Sequence, residues 1–196
     1  LRNYSAITDI YCAYQFTYDA YGNLASYKET ATNYELDADI AYHDLQAKYI
    51  VSVPKHIAVK DRGGKVYRER STQINGHGDI TRITLHNGAK PSVYDMAYDA
   101  YGNLTSLIKP ENHKGQRMRY DYTYDDVLHM LVTNVKDAYG YTSSTAYDYK
   151  WAVPVETSDL NGNKMRYAYD DMGRPSTILA PKELESGRPY TLKFEY

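Results

Sequence analysis

The heptapeptide YDAYGNL occurs at 18–24 and again at 98–104, and each copy is followed by one variable residue and a serine, Ser26 or Ser106. A phrase written twice constrains the fold more than any bulk property, because self-similar segments mark supersecondary units that stack on their neighbours. Weaker copies surround it: YAYDDMGRPSTIL from Tyr167, YTYDDVLHMLV from Tyr122 and TAYDYKWAVPV from Thr145. Looser ones are AYHDLQAKYIV from Ala41 and VYRERSTQI from Val66, and the closing FEY opens another. Aligned on the second aromatic, the anchors are Tyr18, Tyr42, Tyr67, Tyr98, Tyr124, Tyr147, Tyr169 and Tyr196. Their separations of 24, 25, 31, 26, 23, 22 and 27 residues define a repeat with tolerated insertions. Residues 1–196 therefore read as one array of about seven to eight repeats.

Each copy has a physical reading. In Y-x-Y-D the two Tyr fall on one face of a strand, since side chains alternate with period 2. The D-x-x-G that follows (Asp19 to Gly22, Asp99 to Gly102, Asp170 to Gly173) puts Asp first and Gly fourth, as in a type I turn. The Asp carboxylate can accept turn amides, and Gly can take the left-handed conformation of a hairpin bulge. A second strand follows, as in NLTSLI and RPSTIL. Between copies lies another turn: DRGG at Asp61, DAYG at Asp137 with Gly140, DLNG at Asp159 with Gly162, and a longer one in PENHKG at Pro110. The expected architecture is all-β, with antiparallel hairpins joined edge to edge into a curved, spiralling sheet. The one stretch with a helical alternative is ELDADIAYHDLQAKY. The structural residues of the repeat are expected to be Tyr18, Asp19, Gly22, Tyr98, Asp99, Gly102, Tyr124, Asp125, Asp137, Gly140, Tyr147, Asp159, Gly162, Tyr169, Asp170 and Gly173.

Composition agrees with a sheet. There are 24 Tyr against 2 Phe and 1 Trp. Tyr favours strands and pairs a flat apolar body with a hydrogen-bonding tip, so it suits half-covered faces with rings stacked across strands. With 23 Lys+Arg against 25 Asp+Glu and no basic run, nothing invites nucleic acid. The longest apolar stretch, near YIVSVP, is far short of the ~20 residues a membrane helix needs. A single Cys12 excludes an internal disulfide framework and reads as a small buried hydrophobe. The chain opens without Met or an export signal and stops at TLKFEY, so it reads as an excerpt of a longer protein.

These motifs resemble the YD-repeat (Rhs) family, on YDAYGNL twice, YAYDDMGR once and the D-x-x-G turns in DLNGNKMRYAYD. The resemblance extends over nearly the whole chain. In addition, YIVSVPKHIAVKDRGGKVYRERST resembles the part of insecticidal toxin-complex shell proteins where such repeats begin. The resemblance implies a long sheet that spirals into a hollow shell. In bacterial toxins such a shell encloses a toxic C-terminal domain, and in animal teneurins a similar one serves cell adhesion. It also implies a secreted or cell-surface location, a bacterial source, and the rest of its own longer chain as the main partner. The chain departs from the family pattern at Leu128, where Gly is expected, and in the AYHD and VYRER copies, which lack the turn glycine. The Pro- and Gly-rich motif that closes the shell is absent, so no self-cleaving aspartate can be assigned.

No motif for catalysis, metal or cofactor emerges. The six His (His43, His56, His77, His86, His113 and His129) show no ligand spacing, and the pairs Asp125-Asp126 and Asp170-Asp171 sit in the hairpin phrase, where capping explains them. DLNGNK has its Gly at the wrong position for an EF-hand, and DRGGKV lacks the features of a phosphate loop. Two functions remain: a non-catalytic shell wall, or a surface that binds a carbohydrate or a protein through Tyr ridges. Exposed aromatics at repeat spacing favour the wall, whereas a non-repeating cluster around Tyr149 and Trp151 favours binding. NYS at Asn3 and NLT at Asn103 are glycosylation sequons in a eukaryotic secretory setting. The isolated chain is expected to self-associate through open strand edges.

Overall fold

The computed structural model describes residues 12–86 and 88–196. Turn signals cut the chain into strands that are hydrogen-bonded in chain order, β1 through β15, each antiparallel pair being a hairpin or the junction between two hairpins. The chain divides into two compact units, one ending at Asp95 and the other spanning Met96–Tyr196.

The first unit contains β1 (Cys12–Tyr18), β2 (Leu24–Ala31), β3 (Glu35–Tyr42), β4 (Pro54–Asp61), β5 (Val66–Ile74), β6 (Ile80–Leu85) and the start of β7 (Ser92–Tyr98). Its register sorts side chains cleanly. Phe16 pairs with Tyr27, Tyr27 with Ala38, Ala38 with Val59, and Ile40 with Ile57, which makes one face aromatic and aliphatic. Between them alternate the ionic residues of the other face. There Lys28 meets Glu35 at 2.8 Å, Lys60 meets Asp39 at 2.5 Å, His56 meets Glu69 at 2.9 Å and Arg82 meets Asp95 at 2.5 Å. The stretch with a helical alternative is β3, followed by a single 3-10 turn at Gln46–Lys48. Leu36, Ala38 and Ile40 alternate with Asp37 and Asp39, so only a strand sends the apolar set one way and the carboxylates the other.

The second unit continues with β8 (Leu104–Glu111), β9 (Arg117–Tyr124), β10 (Val132–Asp137), β11 (Thr142–Asp148), β12 (Val153–Ser158), β13 (Lys164–Tyr169), β14 (Pro175–Leu179) and the short β15 (Leu192–Lys193). The same sorting holds. Leu107 pairs with Tyr120, Tyr122 with Val135 and Tyr167 with Ile178 on one face. On the other, Glu156 accepts from both Lys164 and Arg166 at 2.7 Å. One helix, α1 (Pro181–Ser186), bridges β14 and β15. The sequence reading missed it because it is one and a half turns long. Its only signals are Pro181 at the first helical position and Gly187 at the left-handed end, φ +70.

This architecture buries little. Among the described residues Val51 is the single buried apolar side chain, and none of any kind is fully enclosed. A sheet wet on both faces cannot rely on a packed core, and exposed ion pairs contribute only ~0–1 kcal/mol each. Cohesion must come from the ladders, the turns and the junctions between repeats.

Candidate functional site

The turns share one construction. In the hairpin at Asp19, the Gly22 amide donates to the Asp19 carbonyl at 3.1 Å and the Asp19 amide to the Asn23 carbonyl at 2.9 Å. The Asp19 carboxylate accepts the Tyr21 and Asn23 amides at 2.9 Å each. Gly22 lies at φ +85, where a β-carbon is strained. The same bonds recur at Asp61–Gly64, Asp99–Gly102, Asp137–Gly140, Asp159–Gly162 and Asp170–Gly173. Two more turns have Asn in the Asp role: Asn75–Gly78 and Asn112–Gly115. PENHKG is therefore a standard turn starting at Asn112, not a longer one starting at Pro110.

These bonds shift the carboxyls. Asp19 and Asp159 are held below their ordinary range mainly by the Asn23 and Asn163 carboxamides, and Asp170 by the Arg174 amide. Asp125 is the extreme case. Its turn runs to Leu131, and because Leu128 replaces glycine, His129 takes the left-handed place at φ +55. Burial alone would raise the Asp125 carboxyl. Four amides, those of Val127, Leu128, Met130 and Leu131, outweigh it and hold the group far below its ordinary value. The neighbours Asp126 and Asp171 take no part in these bonds. In the turn from Asp148 to Val153, Ala152 takes the left-handed place at φ +53.

The anchor tyrosines join one repeat to the one before. The Tyr42 hydroxyl donates to the Leu24 carbonyl at 3.0 Å, Tyr124 to Leu104 at 3.0 Å, Tyr147 to Val132 at 3.0 Å, Tyr169 to Pro154 at 2.7 Å and Tyr196 to Pro175 at 3.0 Å. Each acceptor lies at or next to the start of the second strand of the preceding hairpin, so every clasp crosses the junction between two neighbouring repeats. Tyr18, in the first described strand, is 63% exposed, and Tyr98 closes β7 ahead of the Asp99 turn. Tyr67 is not an anchor. It begins β5, and its hydroxyl goes to Asp61 at 3.0 Å. The anchor position belongs to Ile74, at the end of that strand. Ile74 has no hydroxyl, and the buried Thr72 supplies one to the Pro54 carbonyl instead, with His43 Nε2 3.1 Å from the Thr72 Oγ1.

The turns at the end of the sheet where odd-numbered strands finish are also stitched together. Asn23 donates to the Val51 carbonyl at 2.8 Å, and Lys48 to that of Gly76. A β-carbon on Gly78 would come within 3.0 Å of Ile50. In the second unit Asn103 donates to the His129 carbonyl at 2.6 Å, and Tyr101 stacks on the His129 ring at 4.0 Å. Trp151 lies against Gly173, where a β-carbon would meet it at 2.8 Å, and Lys150 Nζ sits 4.7 Å over its ring. Trp151 is thus a spacer between turns rather than a free aromatic. The NLT sequon is tied down in the same way, because the Asn103 carboxamide also donates to Asp99 at 3.0 Å. Asn3 lies outside the described residues.

The remaining chemistry-bearing groups are dispersed. His56 pairs with Glu69, His86 with Ser71 at 3.2 Å, and His77 and His113 stand in turns. Cys12 is exposed, contrary to the expectation of burial, since β1 lies open on its aromatic face. Among the described residues no three His, Cys, Asp or Glu converge on one point, and no helix is long and apolar enough to cross a membrane. The clasps and stitches escaped the sequence reading because their acceptors are backbone carbonyls, which carry no residue signature. The one available signal was the recurrence of Tyr-Asp at 18–19, 98–99, 124–125, 147–148 and 169–170.

No protein-family model and no curated protein matches the chain. Among solved structures it is similar to the TcdB2–TccC3 complex, with a TM-score of 0.57 at 12% identity over 83% of this chain and 11% of that one. The same complex without its hypervariable C-terminal region gives 0.57 at 14% identity over 82% and 11%. TcdB2–TccC3–Cdc42 gives 0.55 at 13% identity over 83% and 11%. At such identities the shared property is the fold, and the chain spans 11% of the length of these neighbours.

Proposed function

We propose that the chain is a non-catalytic stretch of wall: seven to eight hairpin repeats of a β-shell in a large, secreted or cell-surface bacterial protein, enclosing a toxic C-terminal domain. The observation that carries this reading is the serial Tyr clasp, in which Tyr42, Tyr124, Tyr147, Tyr169 and Tyr196 each donate to a carbonyl of the repeat before. Such a chain is an array rather than a closed domain, and arrays of this kind gain stability by adding neighbours. The scarcity of buried side chains suits a wall one sheet thick, and the fold likeness to TcdB2–TccC3 supports the same assignment. The YD-repeat resemblance supplies the enclosed toxin and the location. In this arrangement the aromatic face lines the interior and the ion-paired face meets water.

Tyrosine labelling tests it. A bulky tyrosine reagent is applied to the full-length protein and to the isolated chain. Tyr94 and Tyr122, on the aromatic face, should be protected only in the full-length protein. Tyr49 and Tyr139, 84% and 75% exposed in turns, should react in both. Equal labelling of Tyr94 and Tyr122 in the two samples would remove the interior assignment.

A further inference from the structure

Glu29 stands on the face where a charge is least expected. Side chains alternate along β2, so Tyr27, Glu29 and Ala31 share the aromatic face, and the register sets Glu29 between Tyr14 of β1 and Leu36 of β3. Carboxylates of the opposite face meet cations, as Glu35 meets Lys28 and Asp39 meets Lys60. Glu29 meets hydroxyls instead. The Tyr27 hydroxyl donates to its Oε2 at 2.8 Å, and the Tyr34 hydroxyl donates to its Oε1. Cys12 Sγ stands 4.0 Å from Oε1, and Tyr14, hydrogen-bonded to the Cys12 side chain, flanks Glu29 on the β1 side. Among the described residues no lysine or arginine pairs with Glu29.

The rings around this charge are held in place and open to solvent. Tyr14 and Tyr27 have centroids 6.2 Å apart, and Phe16 lies 5.5 Å from Tyr27 on its other side. Tyr14 and Tyr34 are 55% and 49% exposed, so large ring surfaces border the carboxylate. The protonation states are complementary. Burial and the Glu29 bond push the Tyr27 phenol up to about 12, and the Glu29 bond and burial do the same for Tyr34. In return the two phenols, that of Tyr34 first, hold the Glu29 carboxyl below its ordinary range. At neutral pH the cluster is one fixed negative charge bordered by neutral, electron-rich rings.

We infer that the cluster of Tyr14, Glu29 and Tyr34 is a binding site for a small quaternary ammonium, of the trimethylammonium type carried by choline. A ring face attracts a cation through its quadrupole, and an ionised carboxylate adds Coulomb attraction. Both Glu29 oxygens already accept a phenol, so the site offers charge and ring surface more than free acceptors. A primary ammonium or a guanidinium brings N–H donors that lose water and need new partners, whereas a trimethylammonium brings none. The free cation is favoured over a phospholipid headgroup, whose phosphate would be repelled by Glu29. The inference goes beyond the wall assignment and does not depend on it, because β1, β2 and the turn to β3 supply the whole site.

Saturation-transfer NMR tests it on the whole chain. Choline is the free cation, glycerophosphocholine the headgroup, ethanolamine the primary amine, and the tert-butyl isostere of choline the uncharged control. Choline should bind in the millimolar range, glycerophosphocholine more weakly, and ethanolamine and the isostere at least about tenfold more weakly. Glu29→Gln, Tyr14→Ala and Tyr34→Ala should each weaken choline binding by about fivefold or more, and Tyr14→Phe and Tyr139→Ala hardly at all. Far-UV circular dichroism establishes that each variant is folded, and Tyr34→Ala, outside the strands, keeps the test valid if a strand variant fails. No transfer to choline at about 20 mM overturns the inference. So does equal binding of the uncharged isostere, which would make the cluster an apolar patch, and so does unchanged affinity in a folded Glu29→Gln.

Discussion

Replacing Tyr169 by Phe removes one oxygen and leaves the ring. The hydroxyl donates to the Pro154 carbonyl at 2.7 Å across the junction with the preceding repeat, so the variant isolates the clasp from the packing. An intramolecular hydrogen bond contributes ~1 kcal/mol net, within a range of about 0.5–1.5. The upper end applies where the abandoned acceptor is buried. Pro154 is only half-buried, so ~1 kcal/mol is the expected loss. For a cooperative unit the size of Met96–Tyr196, that corresponds to a fall of about 4–8 °C in Tm. Tyr124→Phe should cost the same, since its bond to Leu104 is equivalent, and the two should add to about 2 kcal/mol because they lie in different repeats. The assay is urea unfolding followed by circular dichroism, with Tyr139→Phe, a solvent-exposed turn ring, as the reference. If Tyr169→Phe unfolds at the same urea concentration as Tyr139→Phe, the clasp does not hold repeats together.

Further outcomes follow from the same geometry. Thr72→Val should destabilise the first unit by a comparable ~1 kcal/mol, because Thr72 replaces the missing anchor hydroxyl at Pro54; urea midpoints measure it. Gly102→Ala and Gly173→Ala should each cost at least about 1 kcal/mol for their positive φ. Gly173→Ala should cost more, since its β-carbon meets Trp151 at 2.8 Å whereas Gly102 has open space, and a Trp151→Ala background should narrow the difference. For Asp125 the folded-state pKa is depressed, so its stabilisation is complete above the unfolded value of about 4 and is lost as pH falls below it. Asp125→Asn should therefore flatten the decline of Tm between about pH 5 and pH 2, and an unchanged slope would show that the four amides do not act on a carboxylate.

The hairpin architecture was legible because it rests on local signals. Asp followed by Gly three residues later specifies a turn whatever surrounds it, and the alternation in Glu35–Tyr42 decides between strand and helix. What the sequence hid depends on register. Asn75 and Asn112 act as Asp does, but a search keyed to Asp passes over them. Tyr67 imitates the anchor in spacing yet begins its strand, and Ile74 holds the position without the hydroxyl that would have marked it. The ion pairs of the polar face were equally invisible, since Lys60 and Asp39 are 21 residues apart and meet only once β3 and β4 are aligned.

Electron cryo-microscopy of the full-length protein tests the central assignment most directly. The account predicts that β1 and the last strands of this segment continue edge to edge into flanking hairpins, and that the sheet bounds a closed volume with Tyr94 and Tyr122 turned inward. A detached module with its aromatic face in solvent, and no strand paired beyond its own edges, would contradict it.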